Sequence, residues 1–147
     1  MEQRISDTQR QRPDLRIDLE QGTFWVDVAV AHPCARSRKY ARPLAAASDA
    51  ENKKVRDYGA LALQYGATFL PFALESYGAF GARAREVMKV LRKQATENAV
   101  FVAADFRGGF ASYATQKIAV ALQKGNAAIA RRGAVETRMA IGGRKRP

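Results

Sequence analysis

Leu15-Arg16-Ile17-Asp18-Leu19 alternates apolar and polar positions, the period of a half-buried strand. Phe24 to Ala31 is an apolar run broken only by Asp27, and it predicts a second, more buried strand. Glu20 to Thr23 reads as a turn between them, so the two form a hairpin that Pro33 ends. Residues 34–47, basic and then alanine-rich, predict a loop. Ser48 and Glu51 have capping-box spacing, with Ser48 capping a first turn and Glu51 reaching back to it. The helix that follows carries Val55, Tyr58, Ala62 and Tyr65 on one stripe, and Gly66 is placed to end it. Thr68 to Leu74 predicts a third strand, which Pro71 assigns to an edge or a bulge. Beyond the turn glycines Gly78 and Gly81, a helix from about Ala82 to about Thr96 is expected to bury Ala84, Val87, Met88, Leu91 and Ala95. A last helix, about Phe110 to about Lys124, turns Ala114, Ile118, Ala121 and Leu122 inward. The order strand, strand, helix, strand, helix, helix predicts an α/β (α+β) domain with a small mixed sheet. Its expected extent is residues 12–133, between a frayed segment 1–11 and a basic flexible tail 134–147.

Within the second strand, side chains alternate between faces. Trp25, Asp27, Ala29 and Ala31 share one face. Phe24, Val26, Val28 and Val30 share the other, which reads as the better core face, so Asp27 is expected to point away from the most apolar layer. A carboxylate inside such a run is costly to desolvate unless something pairs with it. One partner is an arginine. The other is a metal ion shared with a second carboxylate, and Arg12-Pro13-Asp14 supplies one just ahead of the first strand. A two-residue loop at Gln21-Gly22 would set Asp14 opposite Ala29, on the face of Asp27 and diagonal to it, about 7–8 Å away at the backbone. A slip of one residue would place it on the wrong face. Two hard oxygen ligands with room for water suit Mg²⁺ or Mn²⁺.

The composition narrows what such an ion would act on. The chain has 147 residues, 47% of them hydrophobic, with a formal net charge of +11, enough for one domain with a real core. No apolar run has the length of a membrane span, and the N-terminus has no signal-peptide core. Cys34 and His32 are the single cysteine and histidine, which excludes an internal disulfide and a Cys/His zinc site. Arg36, Arg38, Lys39 and Arg42 form one basic group. Arg83, Arg85, Lys89, Arg92 and Lys93 form a second, and Arg131, Arg132, Arg138, Arg144, Lys145 and Arg146 a third. Such density attracts polyanions through long-range attraction and counterion release. Its plainer reading is solubility.

Metal-assisted phosphodiester cleavage also needs a group to orient water or stabilise developing charge. The strand position where a lysine would share the face of Asp27 holds Ala29. Lys54 is four residues before Tyr58 and borders the packed side of its helix, whereas Lys53 is further round and solvated.

Arg12-Pro13-Asp14, then twelve residues, then Asp27-Val28 resembles the signature of the restriction-like endonuclease domain of site-specific non-LTR retrotransposons. The resemblance continues through Ala29-Val30-Ala31-His32-Pro33, Lys54-Val55-Arg56-Asp57-Tyr58, Phe69 to Gly78 and Val120 to Asn126, over roughly residues 12 to 133. It implies a PD-(D/E)xK, restriction-endonuclease-like fold, a small mixed sheet flanked by helices. Asp14 and Asp27 stand where that family has its metal ligands, and Lys54 matches a lysine that has migrated from the strand to the next helix. Glu75 is implied as a support of the metal or the fold, the structural role being the simpler. The implied activity is Mg²⁺-dependent nicking of DNA for target-primed reverse transcription, in a nuclear setting for a eukaryotic element. Arg12, Arg36, Arg38, Lys39 and Arg42 are the implied nucleic-acid contacts, and the partners are DNA and, in a larger complex, the element's RNA. Such relatives carry a Cys/His zinc knuckle and a reverse transcriptase upstream. Neither is in this chain, and the N-terminal helix that often adds an acidic residue is expected to be missing, as in a fragment, a decayed copy or a separately encoded domain. The rival reading is a catalytically inactive, basic nucleic-acid-binding remnant. Trp25 and Tyr58 read as core residues, His32 as a strand-end residue with a satisfied hydrogen bond, and Cys34 as an inert thiol.

Overall fold

A computed structural model describes residues 12–34, 42–97 and 109–142, the side chains of 140–142 excepted. Six elements follow in the expected order: β1 (Leu15–Leu19), β2 (Gly22–Ala31), α1 (Ala45–Gln64), β3 (Ala67–Glu75), α2 (Ala82–Glu97) and α3 (Gly109–Gly142). The chain divides into two compact units, Met1–Leu91 and Arg92–Pro147. The expected frayed segment 1–11, the basic positions Arg36, Arg38 and Lys39, and residues 143–147 of the tail lie outside the described residues.

In the first unit the strands form one mixed sheet in the order β1-β2-β3, β1 antiparallel and β3 parallel to β2. Parallel neighbours need a crossover, and α1 provides it. The hairpin pairs Leu19 with Gly22, so its loop is Glu20-Gln21 rather than Gln21-Gly22. Thr23, expected in the turn, pairs with Asp18 instead, and the Thr23 hydroxyl donates to the Asp18 carboxylate at 2.7 Å. Pro71 sits in β3, which has a ladder partner on one side only among the described strands, the edge position that a residue without an N–H requires.

The expected core face is covered only in part, and the opposite face packs under a helix. Val28 and Val30 are 41% and 53% exposed. Helix α1 lies on the other face: Tyr58 stacks on Phe69 with centroids 5.6 Å apart, and Tyr65 meets Trp25 at 5.3 Å. Size decides this. Ala29, Ala31 and Ala73 line that face, and Ala46, Ala47 and Ala62 of α1 are buried, so small groups on both sides let helix and sheet approach closely. The valine face is buried only in part, at Val26, Phe72 and Leu74; Phe80 meets Phe72 edge-on at 5.8 Å.

The capping box does not form. Helix α1 starts a turn early, because Ala45-Ala46-Ala47 are the strongest helix formers available. Its N-cap is Leu44 at φ 63, without a side-chain cap, and the Ser48 N–H already makes a helical bond to the Leu44 carbonyl at 2.9 Å. Glu51 is therefore free to turn away and is 4% exposed. Its Oε1 accepts the backbone N–H groups of Arg83 at 2.9 Å and Ala84 at 3.2 Å, the unpaired donors in the first turn of α2. The residue before α2 is Gly81, and a Cβ there would collide with Glu51 Oε1. Glycine thus vacates the place of an ordinary capping side chain, and a carboxylate from α1 fills it, favoured also by the positive end of the helix dipole. At the far end of α1, Gly66 takes φ 66 and stops the helix as expected.

Helix α2 matches its expected span, with Ala84 and Val87 buried and Met88, Leu91 and Ala95 half-buried. Helix α3 has 34 residues, about 51 Å of helix. Residues 134–142, expected in the tail, continue it, since Ala, Arg, Glu and Met favour helix there. Leu122 is buried and Ala114 and Ile118 half-buried, but Ala121 is exposed.

Glu51→Ala is expected to cost about 2 kcal/mol, the loss of a cap plus one buried and one part-buried N–H group left unpaired. Ser48→Ala should stay within about 0.5 kcal/mol. Urea unfolding followed by circular dichroism measures both, and the reverse ranking would restore the capping box.

Candidate functional site

The hairpin register places the two aspartates. Leu15 pairs with Val26, so one further step sets Asp14 level with Asp27 and on the same face. The loop lies one residue earlier than the sequence suggested, which moves the pairing by two positions. Parity of face survives, and Asp14 becomes the direct rather than the diagonal neighbour of Asp27. Pro13 explains why β1 stops there, since it has no N–H to give the ladder. Asp14 then does the work of a backbone acceptor: its Oδ2 takes the Val28 N–H at 2.7 Å. This tether was not foreseen. Its signal was Pro13 at the strand's start, with a short acceptor beside it.

Asp27 is 3% exposed, covered by α1 and paired to Pro71 on the β3 side. Its charge partner is Lys54, with Nζ 2.5 Å from Oδ2. Among the described residues no donor meets that oxygen with hydrogen-bond alignment. The ammonium is close enough for strong attraction but sits off the preferred direction. Asp27 therefore has its charge balanced and one oxygen incompletely satisfied. Helix periodicity accounts for the lysine's reach. Tyr58, one turn on from Lys54, is fixed by its stack on Phe69, and the ammonium lies 5.2 Å from the Tyr58 ring centroid. Direct contact with the Asp27 carboxylate raises the Lys54 pKa above the ordinary lysine value; partial burial opposes this, and the charges of Asp27, Tyr58 and Asp14 add to it. Lys54 is thus held protonated, as a donor and not as a base. Lys53 behaves as a solvated lysine and pairs with Asp57 at 2.8 Å.

The structure brings Asp14, Asp27 and Lys54 together and leaves the other candidates apart. Glu75 pairs with Ala31, four positions beyond the Asp27–Pro71 pair, about 13 Å along the strand. It shares the face but is too distant to share an ion. Its Oε1 is buried with no hydrogen-bond partner among the described residues. Arg12 and Arg42 are exposed. His32 is tied at Nδ1 to the Ser76 hydroxyl at 2.6 Å, and Cys34 is an exposed free thiol. Among the described residues no group of three or more His, Cys, Asp and Glu side chains could hold a metal ion, and no helix is long and apolar enough to cross a membrane.

The donor set nevertheless fits a hard divalent cation in one respect. Two carboxylates adjoin on one face, although Asp27 Oδ2 is already met by the Lys54 ammonium and one Asp14 oxygen by the Val28 N–H. No family model matches the chain, and neither a curated protein nor a solved structure does.

The Asp27–Lys54 pair yields an asymmetric expectation. Lys54→Met strands a carboxylate that is almost wholly buried and should cost about 3 kcal/mol. Asp27→Ala leaves a lysine that can extend to water and should cost less, about 1–2 kcal/mol. The coupling energy from a double-mutant cycle in urea should be level from about pH 6 to 9. The folded-state pKa of Lys54 is raised, so the pair's stabilisation is complete below the ordinary lysine range and is lost only as pH climbs through the folded value. A coupling that vanishes near neutrality would contradict this assignment.

Proposed function

We propose that the chain carries a Mg²⁺-dependent DNA endonuclease centre of the restriction-like kind associated with site-specific non-LTR retrotransposons, nicking one strand to expose a 3′-hydroxyl. The supporting observation is a buried Asp27 beneath α1, in contact with Lys54 and level with Asp14 across the hairpin. Asp14 and Asp27 would hold the cation, whose contribution is to neutralise charge on the scissile phosphate.

The residues themselves supply the remainder. Lys54 stays protonated and donates towards an anionic oxygen, stabilising charge that grows during cleavage. The stack of Tyr58 on Phe69 fixes the helix that carries it. Asp14, held by its bond to the Val28 N–H, is oriented before any ligand arrives, which lowers the cost of assembling the site. Exposed Arg12 and Arg42 would contact phosphates beyond the site.

A second reading, an inactive DNA-binding remnant of the same fold, draws on the internal neutralisation of the site. Lys54 already balances Asp27, and Asp14 already serves the backbone. An ion would have to compete with both arrangements.

Supercoiled plasmid with Mg²⁺ separates the two. The nuclease reading expects conversion to the nicked circle, abolished by EDTA and reduced at least a hundredfold in Asp27→Ala and in Lys54→Ala, the scale of losing one charge-stabilising group. Nicking that persists undiminished in the Asp27→Ala, Lys54→Ala double variant would remove the assignment. Salt-sensitive binding without cleavage, unchanged by Asp14→Ala, would establish the remnant.

A further inference from the structure

Helix α3 carries Lys117, Lys124, Arg131 and Arg138 at intervals of seven residues, and all four are exposed. A seven-residue step falls about 20° short of two full helical turns, so the four cations occupy one stripe about 60° wide. The stripe is about 32 Å long, with charges about 10.5 Å apart. Arg132 adjoins it, and the only acidic residue of the helix, Glu136, lies about 100° round from Lys117. From Thr115 to Met139 every position is exposed except Ile118, Leu122 and Asn126. These lie about 100–180° round from Lys117, so the stripe occupies the side turned away from the helix's own covered face. Lys124 and Arg131 border an open depression that they share with Ala119, Val120, Gln123 and Ala127. The Lys117 ammonium lies 5.4 Å from the Tyr113 ring centroid.

We infer that this stripe is a docking surface for the phosphate backbone of duplex DNA, separate from the carboxylate site. Its uninterrupted positive charge complements a linear polyanion. The stripe is about as long as one duplex turn of roughly 34 Å, so its cations can reach phosphates along the edge of a groove. Small side chains beside the stripe leave a helix about 10 Å across, which a major groove about 12 Å wide admits. A lipid surface suits it less. Between Lys117 and Arg138 the stripe side has alanines, Gln123, Val120 and Val135, and lacks the Trp, Phe or Leu that anchor an interfacial helix. The inference rests on the DNA-directed reading of the chain, but not on its ability to cut.

The test is the salt dependence of binding to a 30-base-pair duplex (about 100 Å of B-DNA), with the full chain and no Mg²⁺. Replacing all four cations by alanine should lower the slope of log K against log salt by about 3.6, at 0.9 per phosphate contact. A second variant exchanges positions at fixed composition: Lys117→Thr and Lys124→Ala with Thr115→Lys and Ala130→Lys. It keeps net charge and helix content but carries two cations to the far side, and should bind at least tenfold more weakly, with a slope smaller by about 1.8. Lys117→Arg with Lys124→Arg should bind as the parent does, with circular dichroism verifying the fold throughout. Parental affinity and slope in the exchanged variant would overturn the stripe. So would binding of phosphatidylserine vesicles in place of DNA. Binding without nicking would remove the nuclease reading alone, and nicking with an indifferent stripe would remove this inference alone.

Discussion

A carboxylate beneath a helix has to be neutralised where it lies, and the first unit is arranged around that requirement. Asp27 is central to β2, and α1 covers it. Left alone, it would oppose folding by several kcal/mol. Lys54 meets it only if α1 sits at one height and one rotation on the sheet, so the ion pair also sets the register of helix against strands. The aromatic contacts Tyr58–Phe69 and Trp25–Tyr65 hold the same placement from the N-terminal end of the strands. Glu51 holds it from the opposite side by capping α2.

These contacts make α1 the element through which the others are aligned. About two turns of helix carry Glu51 to the start of α2, Lys54 to β2 and Tyr58 to β3. Each is a side chain that a solvent-exposed helix would leave mobile. Two of the three buried carboxylates have partners that differ in kind: Asp27 meets a cation, Glu51 a pair of backbone donors. The proposed chemistry would use the first arrangement, where charge can be exchanged for a metal ion. The second is closed by Gly81, whose missing side chain makes room for the carboxylate.

Much of this was legible residue by residue. The alternation in β1, the apolar run of β2, Pro71 at an edge strand and Gly66 at a helix end each follow from local sterics and hydrogen bonding. The pairing of Asp14 with Asp27 on one face was legible as well, because a shift of two residues preserves the face even when the loop is misplaced. The approach of Lys54 followed from its spacing to Tyr58. Three features were not legible. The core face was misread in part, because hydrophobicity favours Val28 and Val30, whereas close approach of a helix favours Ala29 and Ala31. Ser48 and Glu51 have the spacing of a capping box, yet preceding alanines extended the helix and released Glu51 to another element. Helix α3 runs eighteen residues beyond Lys124, because alanine and arginine sustain a helix where apolar periodicity has faded.

The sequence by itself determined the order and type of the elements, the shared face of Asp14 and Asp27, and the heptad spacing of cations along α3. Those properties depend on interactions a few residues long, or on the parity of a strand. Tertiary structure decided which face of the sheet is covered, where Glu51 points and that Glu75 stands apart from the aspartates. Each of these is settled by a contact between segments distant in the chain, where volume, charge and unpaired backbone groups have to be satisfied together.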